Sequence, residues 1–172
     1  LKFGTPSISY TYSEPTVFVE YALATMELAH KNNLKNIWVS NGYMSEETLE
    51  AILPFLDAAN IDVKGPDDTF YHQYCGGDLS TIMRNLKRMQ EAHVHIELTT
   101  LLVPGLNDSE EQMKTLATTI VTQLGINVPW HITRFFPAWR MLDKIPTPLS
   151  TLNKAKEIAL KAGIRYVHLG NV

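Results

Sequence analysis

Short runs of β-branched and aromatic residues alternate along the chain with longer stretches whose apolar positions repeat every three to four residues. Ser7-Ile-Ser-Tyr-Thr-Tyr12 predicts a first strand. Ser13-Glu-Pro-Thr16 then predicts a helix start, with Pro15 and the capping hydroxyl of Thr16 in the first turn. Val17, Tyr21, Ala24 and Leu28 follow at helical spacing up to Asn32-Asn33. Asn36–Ser40 reads as the second strand, and Asn41-Gly42 as a turn. Ser45-Glu-Glu-Thr48 opens a helix that ends near Asp57, and Ala59–Val63 is a short third strand.

The stretch from Lys64 to Asp78 is broken by Gly65-Pro66 and Gly76-Gly77 and has room for one short helix, Asp67–Tyr74. Leu79–Glu91 is amphipathic: Ile82, Leu86 and Met89 point to the core, and Arg84, Lys87 and Arg88 to solvent. Val94–Val103 predicts a fourth strand. Asp108 or Ser109 caps a helix that runs to Leu124 and stops at Gly125. Trp130–Phe135, a Pro-rich stretch from Phe136 to Pro148, a helix over Leu149–Ala162 and a last strand over Arg165–Leu169 complete the order. Strict β-α alternation implies a parallel sheet with right-handed crossovers, an α/β fold. No linker or repeat divides it, so residues 1–172 are expected to form a single domain.

Composition narrows the function. Apolar residues make up 45% and charged residues 19%, with a net charge of -3. This is an ordinary globular balance, and it argues against nucleic acid or an anionic membrane as an obligate partner. No apolar run is long enough to span a bilayer, and the first residues lack a signal peptide pattern. The single cysteine, Cys75, excludes an internal disulfide framework and any cluster or zinc site built from several cysteines of this chain; it suits the cytosol. Leu1 is not an initiator Met and leads at once toward a strand, so a truncated beginning is expected.

In parallel α/β folds, ligands sit at the carboxyl ends of strands. In order these ends deliver Tyr12, Ser13 and Glu14; Ser40, Asn41 and Gly42; Asp62 and Lys64; Thr99 and Thr100; Arg134, Phe135 and Phe136; and Gly170 and Asn171. The amino ends offer Asn36, Pro129 and Arg165, which read as turn and solvent residues. Several readings stay open. Glu14 either favours a helix dipole or accepts hydrogen bonds from a ligand amine. Asp62 and Lys64, two apart, share one strand face as a structural ion pair, a polar-ligand site, or, through Lys64, a Schiff-base site of aldolase type. Gly42 marks a turn or a close ligand approach. Arg134-Phe135-Phe136 joins a fixed cation to an aromatic wall suited to a carboxylate and a stacked adenine, and Phe135 to the core. The six histidines show no metal-ligand spacing; His93 and His95 read as structural or solvated.

Read together, Tyr10-Thr-Tyr-Ser-Glu-Pro-Thr16, Val39-Ser-Asn-Gly-Tyr43, Asn60-Ile-Asp-Val-Lys-Gly65, Leu101-Leu-Val-Pro-Gly-Leu-Asn-Asp108 and Trp130-His-Ile-Thr-Arg-Phe-Phe136 resemble the radical S-adenosylmethionine (SAM) enzymes. The branch is similar to pyruvate formate-lyase activating enzyme, and the first motif and the Arg165–Val172 ending look most like the radical SAM member of the AmmeMemoRadiSam system. The resemblance covers essentially the whole chain. It implies a partial (β/α)6 TIM-like barrel, parallel strands with outer helices, whose first βα unit is missing here. It also implies a [4Fe–4S] cluster on three cysteines and reductive cleavage of SAM to a 5′-deoxyadenosyl radical, which abstracts hydrogen from a protein or small-molecule substrate. Carried over by position, Ser13 and Glu14 match the Gly-Gly-Glu motif that holds the methionine amine, with Tyr12 and Ser13 in place of the glycines. Ser40 and Asn41 match the Thr-Asn-Gly segment. Asp62 and Lys64 match Asp-Leu-Lys, where the Lys contacts SAM and the Asp helps hold a monovalent cation. Val39 stands where the family has a second acidic ligand. Phe136 lies near a SAM-contacting His, a role left to Arg134 or another group. The Cys-X3-Cys-X2-Cys motif is missing, so the resemblance implies an inactive fragment of a cytoplasmic enzyme. Its partner would be a glycyl-radical type protein, and its exposed barrel edge would favour self-association. The alternatives are a cluster-free SAM- or nucleotide-binding module and an aldolase-type barrel using Lys64.

Overall fold

The structure, a computed structural model, describes residues 4–172. The elements follow the expected alternation: β1 (Ser7–Tyr10), α1 (Val19–Lys31), β2 (Lys35–Ser40), α2 (Glu46–Ile52), β3 (Ala58–Asp62), α3 (Asp68–Tyr74), α4 (Leu79–Glu91), β4 (His95–Leu102), α5 (Glu110–Leu124), β5 (Trp130–Arg134), α6 (Leu149–Lys161) and β6 (Val167–Gly170). The six strands form one sheet in chain order. Two compact units divide the chain: one reaches to Asp62 and resumes over Thr81–Ile96, and the other comprises Val63–Ser80 and Glu97–Val172.

In the first unit, β1 and β2 pair in parallel with Tyr10 beside Trp38, and β2 pairs with β3 with Ser40 beside Ile61. Burial alternates along β2: Asn36, Trp38 and Ser40 are buried while Ile37 and Val39 are half-buried. Asn36 reverses an expectation. It is no solvent residue but is fully buried, accepting from Tyr10 Oη at 2.9 Å and donating to the carbonyls of Met26 at 3.1 Å and Phe55 at 2.9 Å. A buried polar side chain survives only with its partners made, and here one amide joins β1, α1 and the segment after α2. Tyr10 is buried with it, and burial pushes its hydroxyl pKa up. Val17, just before α1, and Tyr21, Ala24 and Leu28 on it are exposed, and the helix buries Ala22, Met26 and Ala29. Both sets have helical spacing, but alanines allow the closer approach of helix to strand.

In the second unit, β4 pairs in parallel with β5, and β5 with β6, placing His131 beside Thr99 and His168. Leu98, Leu102, Trp130, Ile132, Ile120 and Leu152 fill the core. Ser109, with Gln112, forms the capping box of α5. Among the described residues no helix is long and apolar enough to cross a membrane.

Candidate functional site

The loop after β1 and the end of β2 meet at one carboxylate. Glu14 Oε1 accepts from the Thr16 N–H at 3.1 Å, the Thr16 hydroxyl at 2.8 Å and the Ser40 hydroxyl at 2.7 Å. Glu14 Oε2 accepts from the Asn41 N–H at 2.8 Å. Glu14, rather than the Thr16 hydroxyl, is therefore the cap of the Pro15–Phe18 turn that leads into α1. The reason is geometric: Pro15 occupies the position that needs no donor, and the first available N–H is that of Thr16. A carboxylate offers about four lone-pair positions. Three donors crowd Oε1, and Oε2 keeps one position for a further donor.

The Ser40 hydroxyl passes the constraint on, accepting from the Gly42 N–H at 3.0 Å. Gly42 stands at φ 74°, and a Cβ there would lie 2.6 Å from Ile61 Cγ2. Its glycine is required by backbone conformation and core packing. Asn85 of α4 holds the same loop from beneath, donating to the carbonyls of Gly42 and Met44 at 3.0 Å each. Tyr12, at a position where the resemblance has glycine, has φ 33° and is 90% exposed; Ser13 beside it is exposed.

In the second unit, Lys64 is half-buried just beyond the end of β3, as Asp62 is at the end of β3 in the first. The period of two holds, since Ile61 and Val63 are fully buried between and before them. Arg134 closes β5. Its Nε donates to the Thr147 carbonyl at 2.8 Å and its guanidinium carbon lies 4.9 Å from the centroid of the half-exposed Phe136 ring. Phe135 is buried, as expected for a core residue. Thr147, in the Pro-rich stretch, is the hub no pattern announced: it is fully buried, donates to the Leu102 carbonyl at 2.6 Å and accepts from the Phe135 N–H at 2.9 Å. Thr100 is likewise a core residue and not a rim one, donating to the Val63 carbonyl at 2.6 Å and accepting from Trp130 Nε1 at 2.9 Å.

Two more polar features escaped the sequence reading. Glu97 and His131 pair at 2.6 Å, and the His131 and His168 rings stack with centroids 5.0 Å apart. Among the described residues no group of three His, Cys, Asp or Glu side chains could hold a metal ion. Cys75 sits exposed at the C-cap of α3; partial burial of its sulfur pushes the thiol pKa up, against the pull of Lys64. A four-iron cluster is held by several thiolates, and the 172 residues carry one. These residues do not fit a cluster. The open acceptor position on Glu14 does fit an ammonium group.

Residues 1–117 match the family model described as the radical SAM superfamily. The chain belongs to the radical SAM superfamily. An uncharacterized protein of Methanocaldococcus jannaschii is 37% identical over 172 residues, covering all of this chain and 51% of that protein. The isethionate sulfite-lyase activating enzyme of Nitratidesulfovibrio vulgaris is 27% identical over 123 residues, covering 69% of this chain and 40% of that enzyme. The chain thus spans about half, or less, of the length of these curated relatives. A domain of pyruvate-formate lyase-activating enzyme from Bacteroides vulgatus superposes with a TM-score of 0.79 at 16% identity, over 96% of this chain and 99% of that domain. The radical SAM fold is therefore shared: parallel strands with outer helices, a partial TIM-like barrel. Radical SAM proteins use SAM and a [4Fe–4S] cluster in their full-length form.

Proposed function

We propose that this chain carries the SAM-holding part of a radical SAM enzyme similar to the activating enzymes of glycyl-radical proteins. One observation carries the proposal: a half-buried carboxylate, Glu14, oriented by four internal hydrogen bonds with an acceptor position left on Oε2. An ammonium needs a fixed acceptor of this kind, and the methionine end of SAM presents one. Ser40 and Asn41 orient the carboxylate, and Ser13 flanks it. Lys64, Asp62, Arg134 and Phe136 are proposed as further contacts on the chemistry of each residue: a cation for a carboxylate, a carboxylate for a monovalent cation, and a guanidinium with a ring for a carboxylate and an adenine.

Bound beside a cluster held by residues outside this chain, SAM would supply hydrogen-abstraction chemistry. This chain's contribution is to orient the methionine amine through Glu14. The cluster thiolates are proposed to come from sequence outside these 172 residues, because Cys75 stands alone here; the 172-residue chain by itself would be inactive. A protein substrate fits the names of the activating-enzyme relatives, and a cytoplasmic location fits the cysteine usage. Self-association of the isolated chain is supported by the exposed side chains of Val17 (83%), just before α1, and of Tyr21 (75%) and Leu28 (63%) on it.

The test is to express the full-length gene product anaerobically with iron and sulfide. A four-iron spectrum and reductive cleavage of SAM are expected, and their absence would overturn the proposal. Sedimentation of the 172-residue chain is expected to show concentration-dependent association, reduced by Tyr21→Lys with Leu28→Glu. A dilute, well-behaved monomer would refute that part.

A further inference from the structure

We infer that Tyr71 and Asn107 are positioning residues that fix the backbone of Lys64, and through it the direction of its ammonium. This rests on the reading of Lys64 as a contact to SAM. The strand β3 ends at Asp62, so Lys64 lies beyond the regular element that precedes it. Yet no backbone group of Val63 or Lys64 is left to solvent. Val63 N–H donates to the Thr99 carbonyl at 2.9 Å, and the Val63 carbonyl accepts from the Thr100 hydroxyl at 2.6 Å. Lys64 N–H donates to Tyr71 Oη at 2.8 Å, and the Lys64 carbonyl accepts from Asn107 Nδ2 at 2.8 Å. At Lys64, where the ladder stops, the side chains of Tyr71 in α3 and Asn107 in the loop after β4 take over its hydrogen bonds.

Both side chains are themselves held. Tyr71 is 2% exposed and belongs to α3, whose first turn is capped by Asp67, with Phe70 N–H to Asp67 Oδ1 at 2.8 Å. Asp68 ties that helix to the start of α4 by accepting from the Leu79 N–H at 2.7 Å. The Phe70 ring lies so close to Gly65 that a Cβ there would stand 2.0 Å from Phe70 Cδ1, so the residue after Lys64 has no room for a side chain. Asn107 is 5% exposed; its Oδ1 accepts from the Val103 N–H at 2.7 Å and its Nδ2 also donates to the Leu101 carbonyl at 2.9 Å. A lysine has a long flexible stem, and aiming its charge at one ligand atom is easier when Cα and Cβ are immobile. The short helix α3 and the Pro-Gly-Leu-Asn loop, neither of which holds a candidate ligand residue, acquire a role on this account.

The experiment is a double-mutant cycle on SAM affinity in the full-length, cluster-loaded protein, with labelled SAM in equilibrium dialysis and a melting curve for each variant. Lys64→Met, Tyr71→Phe and Asn107→Asp are each expected to weaken SAM binding about 5- to 10-fold. On the Lys64→Met background, Tyr71→Phe is expected to cost less than about two-fold, because a positioning residue has nothing left to position. If Tyr71→Phe costs the same with or without Lys64, the positioning role falls while the Lys64 contact stands. If Lys64→Met alone leaves affinity within about two-fold, the Lys64 contact and this inference both fall, and the Glu14 reading is untouched. Asn107→Asp, which keeps an acceptor for the Val103 N–H but sets a charged acceptor against the Lys64 and Leu101 carbonyls, carries the same cycle should Tyr71→Phe fail to fold.

Discussion

Replacing Glu14 by Gln changes one atom and no volume, so its consequences follow from the hydrogen bonds alone. In the orientation that keeps Oε1 as the acceptor, the Thr16 N–H, the Thr16 hydroxyl and the Ser40 hydroxyl retain their partner. The amide nitrogen then stands where Oε2 was, facing the Asn41 N–H, donor against donor. In the flipped orientation Asn41 is satisfied but the Thr16 N–H loses its acceptor. The Ser40 hydroxyl, which already accepts from the Gly42 N–H, must then accept a second donor. Either way one bond to a charged acceptor is lost and a half-buried N–H is left without a partner. Bonds of that kind contribute about 1.5–3 kcal/mol, and the remaining three weaken as the charge disappears. The expected loss is about 2–4 kcal/mol, a large share of the stability of an ordinary domain. With a slope of about 2 kcal/mol per molar urea, the unfolding midpoint of the 172-residue chain moves down by about 1–2 M with the slope unchanged. In the full-length protein the same variant loses the acceptor proposed for the SAM ammonium, so affinity falls even at temperatures where both proteins are folded. A midpoint within about 0.2 M of the parent would refute the clasp in solution. A lowered midpoint with unaltered SAM affinity would keep the clasp and refute the ligand role.

Three further outcomes follow from single contacts. Asn36→Ala leaves the Tyr10 hydroxyl and the Met26 and Phe55 carbonyls without their buried partner, an expected loss of about 2–5 kcal/mol by urea unfolding; a loss under about 1 kcal/mol would mean that water replaces the amide. Gly42→Ala meets both a φ of 74° and Ile61 Cγ2 at 2.6 Å, so it is expected to cost about 1–3 kcal/mol, and a neutral result would contradict the packing. Burial pushes the Asp57 carboxyl up, but the Lys35 ammonium at 2.6 Å, the Asn36 N–H and the charges of Lys35 and His30 outweigh it and hold its pKa below the ordinary carboxylate range. A depressed folded-state pKa stabilises above the unfolded value and loses that effect as pH falls through the folded one. The stability gap between the parent and Asp57→Asn should therefore be full near neutrality and shrink below about pH 4, and a gap independent of pH would refute the pairing.

The parts of this fold that the chain pattern announces are those set by neighbours a few residues away. The range of α4 follows from its apolar repeat, the stop of α5 at Gly125 from one residue, and the Ser45 and Ser109 caps from the hydroxyl two or three residues before an acidic or amide side chain. The errors fall where the deciding partner is distant. Asn36 looks like a turn residue because its sequence neighbours are Lys35 and Ile37; the groups that bury it are 10, 19 and 26 residues away. Thr147 and Asn107 act on carbonyls 45 and 43 residues back in the chain. On α1 apolar residues fall on more than one side, and the side with Ala22, Met26 and Ala29 is the buried one.

Glu14 shows how these two kinds of information combine at the site. The pattern leaves its role between a helix-start acid and a ligand acceptor, as if the two excluded one another. The structure makes Glu14 both the cap of the Pro15–Phe18 turn and the acceptor for Ser40 and Asn41, 26 and 27 residues on. The capping bonds use Oε1 and leave Oε2 with a single donor. A carboxylate immobilised by structural bonds on one oxygen is a better acceptor for a ligand on the other, since the orientation is already fixed before the ligand arrives. The structural role is therefore what makes the ligand role physically reasonable, and the two are separable only by measuring stability and SAM affinity on the same Glu14→Gln protein.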